Sequence, residues 1–315
     1  MERLIIATRS SPLALWQAEA VAAMLSGAGF ECSLLPVETR GDKKLDVSLS
    51  KIGDKGLFTQ ELEQLLLEGK AHLAVHSAKD MPSRLPEGLE LIAFSERENP
   101  EDVLVSFDAG IRLGQPGIRI GTSSTRRVAV LNRYFPGAQV VSVRGNLQTR
   151  FRKMQEGHCD AMILARAGVQ RMGLEKQVVE SLSPGVFTPA AGQASMAVEV
   201  ATGLRHDLKS AIRTAVNQPV SEFAILAERA FLRAMDGGCS IPVFALCIPQ
   251  QEGSFRLEAG IISLDGKEEI RRSVTVIPLL GSESESMEKA GHALAQEVLA
   301  AGGASILQKI KATCN

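Results

Sequence analysis

Between Ile118 and Arg171 the sequence three times runs a short apolar stretch into a small polar turn and then into a segment of helical character carrying arginines. Ile118–Ile120 enters Gly121-Thr122-Ser123-Ser124-Thr125-Arg126-Arg127. Gln139–Val143 enters Arg144-Gly145-Asn146 and a helix over Leu147–Gln155 with Arg150 and Arg152. Asp160–Ala165 precedes a third helix, with Arg171. Successive strand–helix units of this kind predict a mostly parallel sheet with its arginines gathered at one edge. Free backbone N–H groups at helix starts attract anions, and adjacent guanidiniums strengthen such a site. From Arg119 to Arg171 there are nine arginines and Lys153 against only Glu156 and Asp160, whereas the whole chain has a net charge of −1. Guanidinium forks match carboxylate and phosphate oxygens two at a time. Aromatic residues make up only 4% of the chain and no basic excess lies outside this segment, so a small polyanion fits better than nucleic acid.

The flanking sequence extends the same architecture. Residues 3–8 and Cys32–Val37 read as strands, and Ser10-Ser11-Pro12 opens a helix with a serine N-cap and proline at its first position. Asn99-Pro100 reads as a crossover, and Val198–Ala201 followed by a helix over Arg205–Val216 as the return. Three strands beyond Pro242, with Asp265-Gly266 as a hairpin turn, precede two closing helices. The expectation is a three-domain α/β chain. Residues 1–98 with 196–217 form one lobe, 99–195 an arginine-rich second lobe, and 218–315 a small α+β domain, with a ligand cleft and hinge closure between the lobes. The five cysteines include no CxxC spacing, which argues for a reducing compartment. The short apolar run before Arg9 is no signal peptide, and no stretch approaches the length of a membrane span, so a cytoplasmic protein is expected.

Two local sequences are candidates for chemistry. AHLAVHSAKDMP places Lys79 and Asp80 in the turn after a buried strand, where ligands of open α/β sheets bind, although a turn aspartate caps backbone more often than it catalyses. His72 and His76 in the same stretch have no third ligand nearby, which argues against a metal. FLRAMDGGCSIP places Cys239 on a glycine-rich turn just past a helix end, with its thiol open to something bulky. Most free cysteines are inert, and by spacing alone Cys239 reads as an incidental small residue. Lys51 and Lys55 stand in a glycine-punctuated segment that reads as a solvated loop or a ligand-closing one.

Taken together and in order, IATRSSPLALWQ, TRGDKKLD, KIGDKGLF, AVHSAKDMP, GTSSTRR, VRGNLQTR and DGGCSIP resemble the porphobilinogen deaminase (hydroxymethylbilane synthase) family along the whole length. The resemblance implies three α/β domains, the first two like periplasmic binding proteins. It implies a transferase of tetrapyrrole (haem) biosynthesis that joins four porphobilinogen molecules head-to-tail with loss of ammonia, then hydrolyses off linear hydroxymethylbilane. It also implies a dipyrromethane cofactor held by Cys239 through a thioether, and Asp80 as the catalytic carboxylate. Lys79, Asp80, Ser124, Arg126, Arg127, Arg144 and Arg150 would bind the cofactor. Arg9, Ser11, Arg144, Arg150 and Arg171 would bind the acetates and propionates of the substrate, and Lys51 and Lys55 would lie in an active-site loop. No metal is implied. The family is typically monomeric, and uroporphyrinogen-III synthase consumes its product.

The chain departs from the family at Ala194, where many members have glycine in a GQG run, and at Thr125, commonly leucine. Alanine tolerates fewer backbone conformations, so an altered hinge geometry is expected at Ala194. A non-catalytic two-lobed binding protein for a small di- or polycarboxylate would explain the charge but gives Cys239 no role. A phosphoryl-ligand enzyme lacks a GxxxxGK[ST] run.

Overall fold

The computed structural model describes residues 2–39, 59–238 and 241–314. They fall into two compact units. The first comprises 2–39, 59–98 and Gly192–Glu222, and the second comprises Asn99–Ala191 with the described residues from Phe223 onward.

In the first unit the strand order is Glu31–Val37, Arg3–Arg9, Leu73–Ser77, Met196–Ala201, Leu89–Phe94. Arg3–Arg9 runs parallel to both its neighbours, whereas Met196–Ala201 is antiparallel to both of its own. One face of the sheet buries Leu4, Ile6, Leu73 and Val75 against the helices Pro12–Gly27 and His206–Val216. The other buries Ala7 and Ala74 against Leu62 and Leu66 of the helix Gln60–Leu67. Covering both faces is what parallel strands joined by crossovers require.

The second unit repeats the pattern as Gln139–Val141, Arg119–Gly121, Ala161–Ala165, Asp102–Val105, Val178–Leu182. Arg119–Gly121 is parallel to its neighbours and Asp102–Val105 antiparallel to its own. Each sheet is therefore half parallel, not mostly parallel as the sequence pattern predicted. The antiparallel strand is in each case the first one after the chain passes from one unit to the other, at Asn99 and at Gly192. No crossover helix leads into it, so nothing imposes the parallel direction.

The same unit holds an antiparallel meander, Val243–Pro249, Phe255–Ile262 and Glu269–Val276. A core containing Phe231, Leu257, Ile261, Met287 and Leu294 packs it against the helices Pro219–Ala234 and Glu283–Val298. Its Asp265-Gly266 turn lies directly on the helix Thr125–Tyr134. A Cβ on Gly266 would sit 2.6 Å from Arg133 N, and Arg133 Nη1 donates to Gly266 O at 3.0 Å.

Candidate active site

In the first unit the buried strand Leu73–Ser77 ends in a single tight turn, Ala78–Asp80, whose Ala78 N donates to Ser195 O at 2.9 Å. The segment that follows Gly192 braces this turn. Lys79 Nζ reaches Gln193 Oε1 at 3.4 Å, and a Cβ on Gly192 would meet Ala78 C at 3.0 Å, so the approach needs glycine. Ala194 adopts φ 76°, the left-handed conformation that glycine would take freely. The backbone there keeps a glycine-like shape despite the alanine, and the departure is absorbed as local strain.

Asp80 emerges exposed and lines a small pocket with Arg9, Gln17, Thr59, His76 and Ser77. Arg9 is half-buried at the end of its strand. Ser11, also half-buried, holds the N-cap position before Pro12, but its side chain makes no capping hydrogen bond. Gln17 is 2% exposed and donates through Nε2 to Ser77 Oγ at 2.9 Å. Sequence reasoning missed Gln17. Its signal was a polar residue inside the buried stripe Ala14, Ala18, Val21 of its helix. His72 accepts from Ile5 N through Nδ1, away from His76, and among the described residues no group of acids, histidines and cysteines could hold a metal ion.

The predicted basic residues of the second unit follow its parallel strands, in the turns or on the helices beyond them, and in two kinds of setting. Ser124 caps the helix Thr125–Tyr134, its side chain accepting from Arg127 N. Arg126 and Arg127 do not project as open cations. Both are buried and both bind Asp102: Arg126 Nη2 to Oδ2 at 2.8 Å, Arg127 Nη2 to Oδ1 at 2.7 Å and Arg127 Nε to Oδ2 at 3.0 Å. Thr188 O and Ile163 O accept their remaining Nη1 groups at 2.8 Å. Burial alone would raise the Asp102 carboxyl, but the two guanidiniums override it and hold the group well below the usual carboxylate range. The meander joins in, since Arg271 Nη1 donates to Thr188 Oγ1 at 2.6 Å. One carboxylate against two guanidiniums leaves the cluster with one net positive charge.

Arg144, Arg150 and Arg171 are half-buried. Asn146 caps the helix Leu147–Gln155, and Arg150 Nε donates to Gly145 O at 2.8 Å, tying that side chain to the Arg144-Gly145 turn. Arg171 closes the helix Arg166–Arg171. Asp102 was missed in the sequence because it reads as part of a polar crossover. Its signal was an acid heading the apolar run Val103-Leu104-Val105. Cys239, Lys51 and Lys55 lie outside the described residues.

Each unit by itself is an α/β layer structure with polar side chains beyond the carboxyl ends of its parallel strands, which defines the class. Residues 4–208 match the family model described as porphobilinogen deaminase, dipyromethane cofactor binding domain, and 223–300 match the porphobilinogen deaminase C-terminal domain. The chain belongs to the porphobilinogen deaminase family. It is 47% identical to the porphobilinogen deaminase of Desulfosudis oleivorans, over 97% of both chains. It is 48% identical to that of Cytophaga hutchinsonii, over 97% of this chain and 96% of the relative. Among solved structures, the second substrate binding domain of a putative amino acid ABC transporter from Streptococcus pneumoniae aligns with 68% of this chain and 91% of its own, at TM-score 0.43 and 13% identity.

Proposed function

We propose that this chain condenses four porphobilinogen molecules, releasing ammonia at each joining, on a dipyrromethane primer carried by Cys239, and hydrolyses off the tetrapyrrole hydroxymethylbilane. The observation that carries the reading is Asp80, exposed at the carboxyl end of a buried strand and sharing one pocket with Arg9. The aminomethyl group of porphobilinogen leaves behind positive charge on the pyrrole. A carboxylate beside that charge stabilises it, and Arg9 supplies the counter-charge for an acetate or propionate. Lys79, braced against Gln193, holds the turn that presents Asp80.

The donor set of the second unit fits a polycarboxylate group. Arg144, Arg150 and Arg171 are half-buried in the turn or on the helices that follow two of the strands, and a guanidinium there retains its charge and its fork. Bound there, dipyrromethane would supply an anchored pyrrole to which further units are added. Ser124, Arg126 and Arg127 would contribute chiefly through the fixed field of the Asp102 cluster, and Ser11 through its uncapped hydroxyl. Lys51 and Lys55 would close over the ligand. We take the three sheets as three domains, 1–98 with 196–217, 99–195 and 218–315. The protein works as a cytoplasmic monomer and passes its product to uroporphyrinogen-III synthase. Among the described residues no helix is long and apolar enough to cross a membrane.

Intact mass tests the reading directly. The wild-type chain should be heavier than its sequence by a two-pyrrole adduct, and Cys239→Ser should lack the increment. A wild-type chain of unmodified mass would remove the primer from the mechanism.

A further inference from the structure

Behind the Arg9–Asp80 pocket lies a second set of titratable groups that the reaction as described leaves without a task. His76 is 5% exposed, and its Nε2 is 3.0 Å from Oε2 of the wholly buried Glu199. The two stand on neighbouring antiparallel strands, Ala197 opposite His76 and Glu199 opposite Ala74, which puts both side chains on one face of the sheet. Glu63, 6% exposed, faces them from the helix Gln60–Leu67. Its carboxyl is pushed up, by burial first and by the neighbouring Glu199 as well, while the Thr59 hydroxyl and His76 act the other way. Glu199 Oε1 is buried without a hydrogen-bond partner among the described residues. A buried polar atom without a partner calls for an explanation, and proton exchange at a functional site is one.

The His76–Glu199 contact fixes the imidazole. A ring that gives its Nε2–H to a carboxylate presents a bare Nδ1, which can accept a proton. His76 makes no other hydrogen bond among the described residues, and its ring lines the same pocket as Asp80. The charged groups around it are Glu199 from the adjacent strand, Glu63 from the covering helix, itself neighboured by Glu61, and Arg9 and Asp80 at the pocket.

We propose that His76 is a further catalytic residue, whose Nδ1 takes up and returns the proton exchanged at the Asp80 pocket, with Glu199 as the positioning residue that sets its ring. The inference rests on the porphobilinogen reading. Joining two pyrrole units breaks the C–N bond of one, whose electron pair leaves on nitrogen, and the C–H bond of the other, whose electron pair returns to the ring once the new C–C bond has formed. Ammonia ends as ammonium by gaining the proton that carbon lost, so one proton is held and given back per joining, with no other co-reactant. Asp80 is needed as an anion throughout, because it faces the positive charge. A separate base lets it stay charged while the proton is in transit.

His76→Gln, in the full chain with its cofactor, keeps a donor for Glu199 and removes the base. We expect a folded protein with the two-pyrrole adduct intact, KM for porphobilinogen changed less than threefold and kcat lowered about 100-fold. Glu199→Gln should lower kcat about tenfold and flatten one limb of the pH–rate profile, and Glu199→Asp should recover part of the loss. Nitrogen NMR of the imidazole in the wild type should show Nε2 protonated and Nδ1 bare. Adding porphobilinogen to the slow Asp80→Asn protein should move the Nδ1 signal. Turnover of His76→Gln within twofold of wild type, or an Nδ1 signal indifferent to porphobilinogen, would overturn the proposal. Should His76→Gln fail to fold, Glu199→Gln and the NMR measurement decide. If wild type never consumes porphobilinogen, the functional reading fails, while the NMR tautomer still judges the His76–Glu199 pair.

Discussion

Both five-stranded sheets insert one antiparallel strand in fourth place, and both load it with a wholly buried acid, Glu199 in the first unit and Asp102 in the second. The partners differ. Glu199 meets an imidazole, and Asp102 meets two guanidiniums. An imidazole can exchange a proton near neutral pH, whereas a guanidinium cannot. The same architectural slot therefore holds an acid beside a neutral-pH donor or acceptor in one unit and an acid locked between two permanent cations in the other.

The largest effect should come from breaking the fixed field. Asp102→Asn leaves two buried guanidiniums short of their counter-ion and should cost about 3–5 kcal/mol in denaturant unfolding. Because the Asp102 carboxyl is depressed in the folded state, its stabilisation is present above the ordinary carboxylate range and lost as pH falls through the folded value. The acid limb of stability should be shallower in Asp102→Asn than in wild type. Equal stability of the two proteins at pH 7 would mean that the guanidiniums need no anchor.

Glu199→Gln, by contrast, keeps an acceptor for His76 and should cost only about 1 kcal/mol in the same measurement. A loss as large as that of Asp102→Asn would erase the distinction between the two acids. Glu63→Gln sharpens the comparison through pH. The Glu63 carboxyl is raised, so its favourable contribution is complete below the unfolded value of 4.5 and disappears as pH rises through the folded value. The variant should match wild type in thermal melts at pH 4 and exceed it at pH 8. The smallest effect is expected at the brace behind Asp80, where Ala194→Gly relieves a left-handed alanine and should stabilise by about 0.5–1 kcal/mol, read from the shift in denaturant midpoint.

Much of the architecture was legible because it is local. The helix Leu147–Gln155, the Asp265-Gly266 hairpin and the Ser11-Pro12 helix start follow from turn chemistry and periodicity, which act over a few residues. The strands Leu89–Phe94 and Val178–Leu182 were missed, and both close a sheet edge by pairing with a strand remote in sequence. Among candidate site residues, Asp80 and the arginines stood out because turn position and charge are visible in one dimension. Gln17, Asp102 and the setting of His76 were not, since each depends on a partner between 24 and 123 residues away.

The sequence by itself determined where charge resides, which turns end the strands, and that a lone thiol follows two glycines, since these are properties of neighbours along the chain. Only the tertiary structure decided that Arg126 and Arg127 are spent on Asp102 and that Glu199 faces His76. Each of those pairings is made when a strand arriving from the other unit is laid against the sheet. Its direction and register follow from the sheet that receives it, beyond the reach of any local pattern.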